Sequence, residues 1–185
     1  MITLASMSAW PRRMLLVLTI PLVLATLVSA APTPSSTPDP RAVTIRRGLE
    51  RVGLRVVSVE FGIVPGTGPV WLAATKGNYG RPSWKRVNDQ AFVMWNVMFI
   101  ALKKGTPPET YLTIAQDWGG YRLFLSSRLR DFAALSAAAN KSEAEKSKAM
   151  EVFTKEMSLT FRVFDLKQQR LVDPLAFVNQ HFVSE

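Results

Sequence analysis

The chain has 185 residues, a formal net charge of +9, one histidine and no cysteine. That is one domain's worth of chain with residues to spare. It excludes a disulfide framework, a cysteine zinc site, a thiol nucleophile and a lipid-modified cysteine. An apolar content of 48% also excludes disorder along the whole length.

Residues 14–30, MLLVLTIPLVLATLVSA, carry no charge, follow Arg12-Arg13, and precede the first acidic residue, Asp39. A basic start, an apolar stretch and a small-residue end at Val28-Ser29-Ala30 read as a secretory signal cleaved before Ala31. The run lies at the short limit for a membrane span, which needs about 20 residues. Pro21 also interrupts it. A retained N-terminal membrane anchor is the alternative. In both cases the positive flank keeps the N-terminus cytoplasmic and sends the remainder out. The Arg-Arg-Met-Leu-Leu run loosely fits a twin-arginine signal, but its apolarity favours the general secretory route. The organisation expected is a signal peptide or anchor over 1–30, a Pro/Ser/Thr-rich linker over 31–40, and a single domain over 41–185. The expected address is secreted or extracytoplasmic.

Asp39-Pro40 reads as a helix start, with Asp39 as cap and Ile45, Leu49 and Val52 as its apolar stripe, stopped at Gly53. Over 54–64 the alternation puts Val57, Val59, Phe61 and Ile63 on one side of a strand. Pro65–Gly68 is turn material and Val70–Thr75 returns, so the pair is a hairpin. Residues 84–104 form the strongest helix, capped by Ser83 and ended by Gly105. One stripe holds Trp84, Val87, Ala91, Trp95, Met98 and Leu102. A second, nearly opposite, holds Val93, Val97 and Ile100. Such a helix needs cover on two sides, either from a sheet and another helix or from a subunit interface.

A second hairpin pairs 109–116 with 121–126 across Asp117-Trp118-Gly119-Gly120. Helices follow at 127–139 and 143–157, the latter with a Ser142/Glu145 capping box. Ser158–Phe164 reads as a late strand with Leu159, Phe161 and Val163 inward. Asp173-Pro174 opens a last helix bearing Leu175, Val178 and Phe182. The order predicts an α+β fold: an antiparallel sheet of four to five strands, built from two hairpins plus a late strand, with helices mainly on one face.

Few chemistries fit these residues. His181 stands alone near Phe177 and reads as a packed or surface histidine. No calcium-loop spacing occurs, so no metal is expected. Glu60 and Asp117 could meet near hairpin ends as a carboxylate pair, but their spacing does not require it. The sequence has no nucleophile elbow, and Gly62–Gly68 lacks the helix and Lys-Ser/Thr of a phosphate loop. No catalytic residue or cofactor is therefore assigned. A dispersed active site would draw on Glu60, Asp117 and His181.

The suggestive constellation is the basic-aromatic stretch 76–86. Its Lys76, Tyr79, Arg81, Trp84, Lys85 and Arg86 combine cations with flat rings at a helix start, a combination suited to an anionic partner. The competing reading folds Tyr79 and Trp84 back into the core. For an exported chain the expected partner is an anionic polymer or membrane surface rather than nucleic acid. The stripe Val93, Val97, Ile100 points to a protein partner or homodimer. The leading expectation is a non-catalytic binding or accessory protein. An anion binder acting through 76–86 and a dispersed-site enzyme are the alternatives.

Overall fold

The computed structural model describes residues 39–77 and 82–183, all within one compact unit. The signal-or-anchor segment, the linker to Pro38, and Tyr79 and Arg81 of the basic-aromatic stretch lie outside the described residues.

Among the described residues five helices and six strands follow in chain order. They are α1 (Pro40–Arg51), β1 (Val56–Val64), β2 (Gly68–Lys76), α2 (Trp84–Leu102), β3 (Tyr111–Trp118), β4 (Tyr121–Arg128), α3 (Leu129–Ala138), α4 (Glu143–Thr160), β5 (Arg162–Asp165), β6 (Arg170–Val172) and α5 (Pro174–His181). The helix starts obey the capping residues. The carboxylate of Asp39 accepts from the Arg41 N–H, Ser83 Oγ from Arg86 and Asp173 from Ala176, while Ser142 and Glu145 complete a capping box.

The class is α+β, and the sheet is mixed with six strands in sequential order, β1 to β6. The expectation of four or five strands missed β6, which has three residues and one half-buried side chain. The expectation of a wholly antiparallel sheet is also corrected, because β2 and β3 pair in parallel, from Val70 opposite Tyr111 to Lys76 opposite Asp117. The cause is the length of α2. A 19-residue helix returns the chain by about 28 Å, to the end of the sheet where β2 began. The next strand therefore starts in the same direction as β2.

All five helices lie on one face. One buried cluster joins Ile45 and Leu49 of α1, Trp95 and Met98 of α2, Phe132 of α3, Phe153 of α4 and Phe177 of α5. The same cluster includes Trp71 and Ala73 of β2, Leu112 and Ile114 of β3, and Leu123 and Leu125 of β4, which alternate onto one side of the sheet. Trp95 is its hub. Its ring sits edge-on to Phe92 and Phe153, and its Nε1–H donates to the Leu112 carbonyl at 2.9 Å.

Of the two covers considered for α2, the sheet-and-helix sandwich is the one seen. The first stripe is buried against the sheet, while Val97 of the second meets α1 at Gly48. A β-carbon on Gly48 would lie 2.6 Å from Val97 Cγ1. Val93 and Ile100 flank that contact and stay exposed.

Three local expectations fail for identifiable reasons. Val57 occupies a bulge between Val56 and Ser58 and drops out of the inward set, in which Val59 packs against the core while Phe61 and Ile63, on the same face toward the strand's end, stay exposed. Leu159 is exposed because α4 continues to Thr160. There the Thr160 hydroxyl accepts from the Ser126 N–H at 3.1 Å and donates to the Ser126 carbonyl at 2.8 Å. One hydroxyl thus replaces a rung of the ladder, and β5 pairing begins at Arg162. Val52 and Leu175 are exposed at helix ends, and Phe177 carries the burial of α5.

Candidate functional site

The parallel pair gives the sheet a chemically distinct end. β2 and β3 finish at the same end of the sheet, where β2 leads on toward α2 and β3 turns tightly into β4. In this fold that end carries Lys76 beside Asp117. It also carries the α1–β1 connection and the β3–β4 turn. A cleft of about 480 Å³ lies between them, lined by residues 53–55, Lys76, Gly77 and residues 117–120.

Glycine and backbone pairing shape its walls. The Lys76 N–H donates to the Arg55 carbonyl at 2.9 Å, and the Gly77 N–H donates to the Asp117 carbonyl at 2.7 Å. A β-carbon on Gly77 would sit 2.5 Å from the Trp118 ring, so only glycine passes flat over that indole. Trp118 is itself fixed, donating through Nε1 to Gln116 Oε1. Gln116 Nε2 in turn holds the Val87 carbonyl in the first turn of α2. Gly119 and Gly120 both have positive φ, the geometry of a tight two-residue hairpin turn.

The charges in the cleft are unequal. Arg55 and Lys76 supply two cations. The acid, Asp117, is held by Arg122 through two hydrogen bonds, Nε to Oδ1 at 2.6 Å and Nη2 to Oδ2 at 3.0 Å. That bidentate bond, aided by the Asp117 charge and the more distant Glu60, raises the Arg122 pKa above its ordinary value against the opposing effect of burial. The carboxylate is therefore neutralised locally, and the lining keeps a positive balance.

The candidate residues from the sequence divide between this end and the core. Lys76 is exposed at the cleft. Trp84 packs against Phe161 and Phe182 at 5.3 and 4.9 Å, so this ring is committed to the core, as the competing reading expected. Lys85 bonds Asp89 one turn on at 2.9 Å, and Arg86 begins α2 beside it. The sequence offered Arg55, just beyond the arginines of the first helix, as a possible extension of the basic patch, and the fold sets it beside Lys76 in the cleft lining.

The dispersed catalytic set does not assemble. Glu60 lies opposite Leu72 and Asp117 opposite Lys76. Four strand residues separate those rungs, about 13 Å, too far for one acid–base pair. His181 packs on Tyr121 and Phe177 at 5.0 and 4.8 Å, on the helix-bearing face. Asp117 and Arg122 alternate onto the opposite face. Among the described residues no group of three acids and histidines could hold a metal ion, and no helix is long and apolar enough to cross a membrane.

No protein-family model, curated protein or solved structure matches the chain. The functional reading accordingly rests on the cleft and its charges.

Proposed function

We propose that this chain is an exported, non-catalytic binding or accessory protein that holds an anionic polymer or headgroup in the cleft at the carboxyl end of β2 and β3. The observation that carries this reading is the charge arrangement. Lys76 is exposed on the cleft lining beside Arg55, and the acid there, Asp117, is paired with Arg122, so the lining residues carry two cations against one acid. In sequence, Arg81, Lys85 and Arg86 follow Lys76 within ten residues. Tyr79 would add a stacking ring. An anion entering the cleft meets two cations at little desolvation cost, because the cleft is open to solvent.

Residues 14–30 supply the export route in this reading, either cleaved before Ala31 or kept as an anchor. Cell fractionation with N-terminal sequencing distinguishes these. A chain starting at Ala31 in the exported soluble fraction means release, and an intact chain in the membrane fraction means attachment. An intact chain in the cytosol would refute export.

Binding of fluorescent heparin to the full chain tests the cleft. Affinity should fall with rising salt and should drop roughly tenfold in Arg55→Ala/Lys76→Ala, since two partly exposed charge contacts at about 0.7 kcal/mol each sum to that factor. Arg81→Ala/Lys85→Ala/Arg86→Ala should weaken it further. Equal affinity in all variants would assign the binding to bulk charge and overturn the cleft.

A further inference from the structure

The opposite end of the sheet has a different surface. It carries the start of α1, the β1–β2 turn, the end of α2 and the start of β3. Two of the most exposed large apolar side chains of the domain lie toward it, Ile63 at 75% and Ile100 at 67%. Phe61, half exposed, shares the face of Ile63 and stacks on Trp71 at 5.2 Å. Arg41 in the first turn of α1 lies over the other side of this group, its guanidinium 5.2 Å from the Trp71 ring. Lys103 and Lys104 follow α2 directly and are exposed.

Exposed apolar side chains and lysines at one end of a domain suit a surface that is greasy and anionic together. The chain supplies the reason for such a surface at this end. Asp39, where α1 begins, joins eight Pro/Ser/Thr-rich residues to the apolar run 14–30. Eight residues of that composition span about 25 Å in an extended polyproline form, so a membrane that keeps the run lies about that far along the chain from Asp39 at the start of α1.

We propose that this end of the domain rests on an anionic lipid surface, with Phe61, Ile63 and Ile100 entering the interface and Lys103 and Lys104 meeting lipid phosphates. The cleft then points away from the bilayer, toward whatever anionic partner lies beyond it. The proposal rests on the anchored form of the export reading, in which residues 14–30 stay in the membrane.

The absence of cysteine makes a site-specific test direct. The full chain is reconstituted into vesicles of phosphatidylcholine with phosphatidylglycerol, carrying one environment-sensitive label at Ile63→Cys, Ile100→Cys or Gln168→Cys. Gln168 is exposed between β5 and β6 at the cleft end. Labels at 63 and 100 should show an apolar environment and be quenched by brominated lipid, while the label at 168 stays water-like. Lys103→Glu/Lys104→Glu should lower the buried fraction of the first two labels by roughly fivefold per lysine, as should vesicles of phosphatidylcholine alone. A chain that sits in the vesicles with all three labels water-like would overturn this proposal and leave the export reading standing. A chain that does not associate with vesicles at all would overturn this proposal together with the anchored form of the export reading. Heparin affinity of the lysine variant separates the two ends, because it should match that of the unmodified chain.

Discussion

Substituting Gly48 by alanine tests how α1 is seated. Alanine in a helix interior is worth about 0.5–1 kcal/mol over glycine, so an exposed site would gain stability. Here the added carbon would stand 2.6 Å from Val97 Cγ1, about 1 Å inside ordinary carbon–carbon contact. Both atoms belong to helices pinned elsewhere, α1 by Ile45 and Leu49 and α2 by Trp95 and Met98, all fully buried. Relief therefore requires a helix shift, and overpacking of this kind costs about 1–3 kcal/mol. The net expectation is a loss of about 1 kcal/mol, or a fall in Tm of roughly 2–4 °C for a domain of this size. Urea denaturation should show a lower midpoint with an unchanged slope. Val97→Ala in the same chain removes the obstructing methyl, so the double variant should recover the helix gain and show a coupling of about 1 kcal/mol. A Gly48→Ala protein as stable as the parent, or more so, would mean that α1 does not cover Val97. The second stripe of α2 would then regain its claim to a subunit interface.

Three further outcomes follow from particular contacts. Asp117→Asn should cost about 2 kcal/mol in urea denaturation, because it replaces two charge-assisted hydrogen bonds to the largely covered Arg122 guanidinium; an unchanged midpoint would show the pair to be solvent-screened. Asp39 is held below its ordinary pKa of 3.8, first by the Arg41 side chain and then by the Arg41 backbone N–H. Its contribution is therefore complete above that value and is lost as pH falls through the lower folded one. An NMR titration should place its midpoint under 3.8, and Arg41→Gln should move it back up; a midpoint at the ordinary value in the parent would contradict the contact. Phe153→Ala should remove about 3–5 kcal/mol, since Phe153 meets Phe92, Trp95 and Phe132 at 5.1–5.7 Å; a loss under about 1 kcal/mol would mean a loosely packed cluster.

The parts of this fold set by local chemistry were legible in the amino acids. Asp39, Ser83, Ser142 and Asp173 each begin the helix they were expected to cap, because capping depends on the cap residue and the first turn alone. The inward stripe of α2 was equally plain, since five large side chains at helical spacing have one way to be buried. Features that depend on distant partners were not legible. Parallel pairing of β2 with β3 follows from where α2 delivers the chain, which no residue of either strand encodes. The continuation of α4 to Thr160 depends on Ser126, and the bulge at Val57 on its register with β2. The cleft shows the same division. Lys76 stood out as part of a basic stretch. Arg55 and the Asp117–Arg122 pair acquire their meaning only when three connections converge at one end of the sheet. Trp84 allowed two readings, as a ring for a ligand among polar neighbours in sequence and as the first member of the α2 stripe, and its neighbours in space, Phe161 and Phe182, decide for the second.

An amide NMR map of the full chain titrated with a short heparin fragment tests the central claim most directly. The account predicts saturable shifts concentrated at Arg55, Lys76, Gly77, Gly119 and Gly120, weakening as salt is added. Shifts spread evenly over the basic surface, or centred on Lys103 and Lys104 with the three glycine amides unmoved, would contradict it.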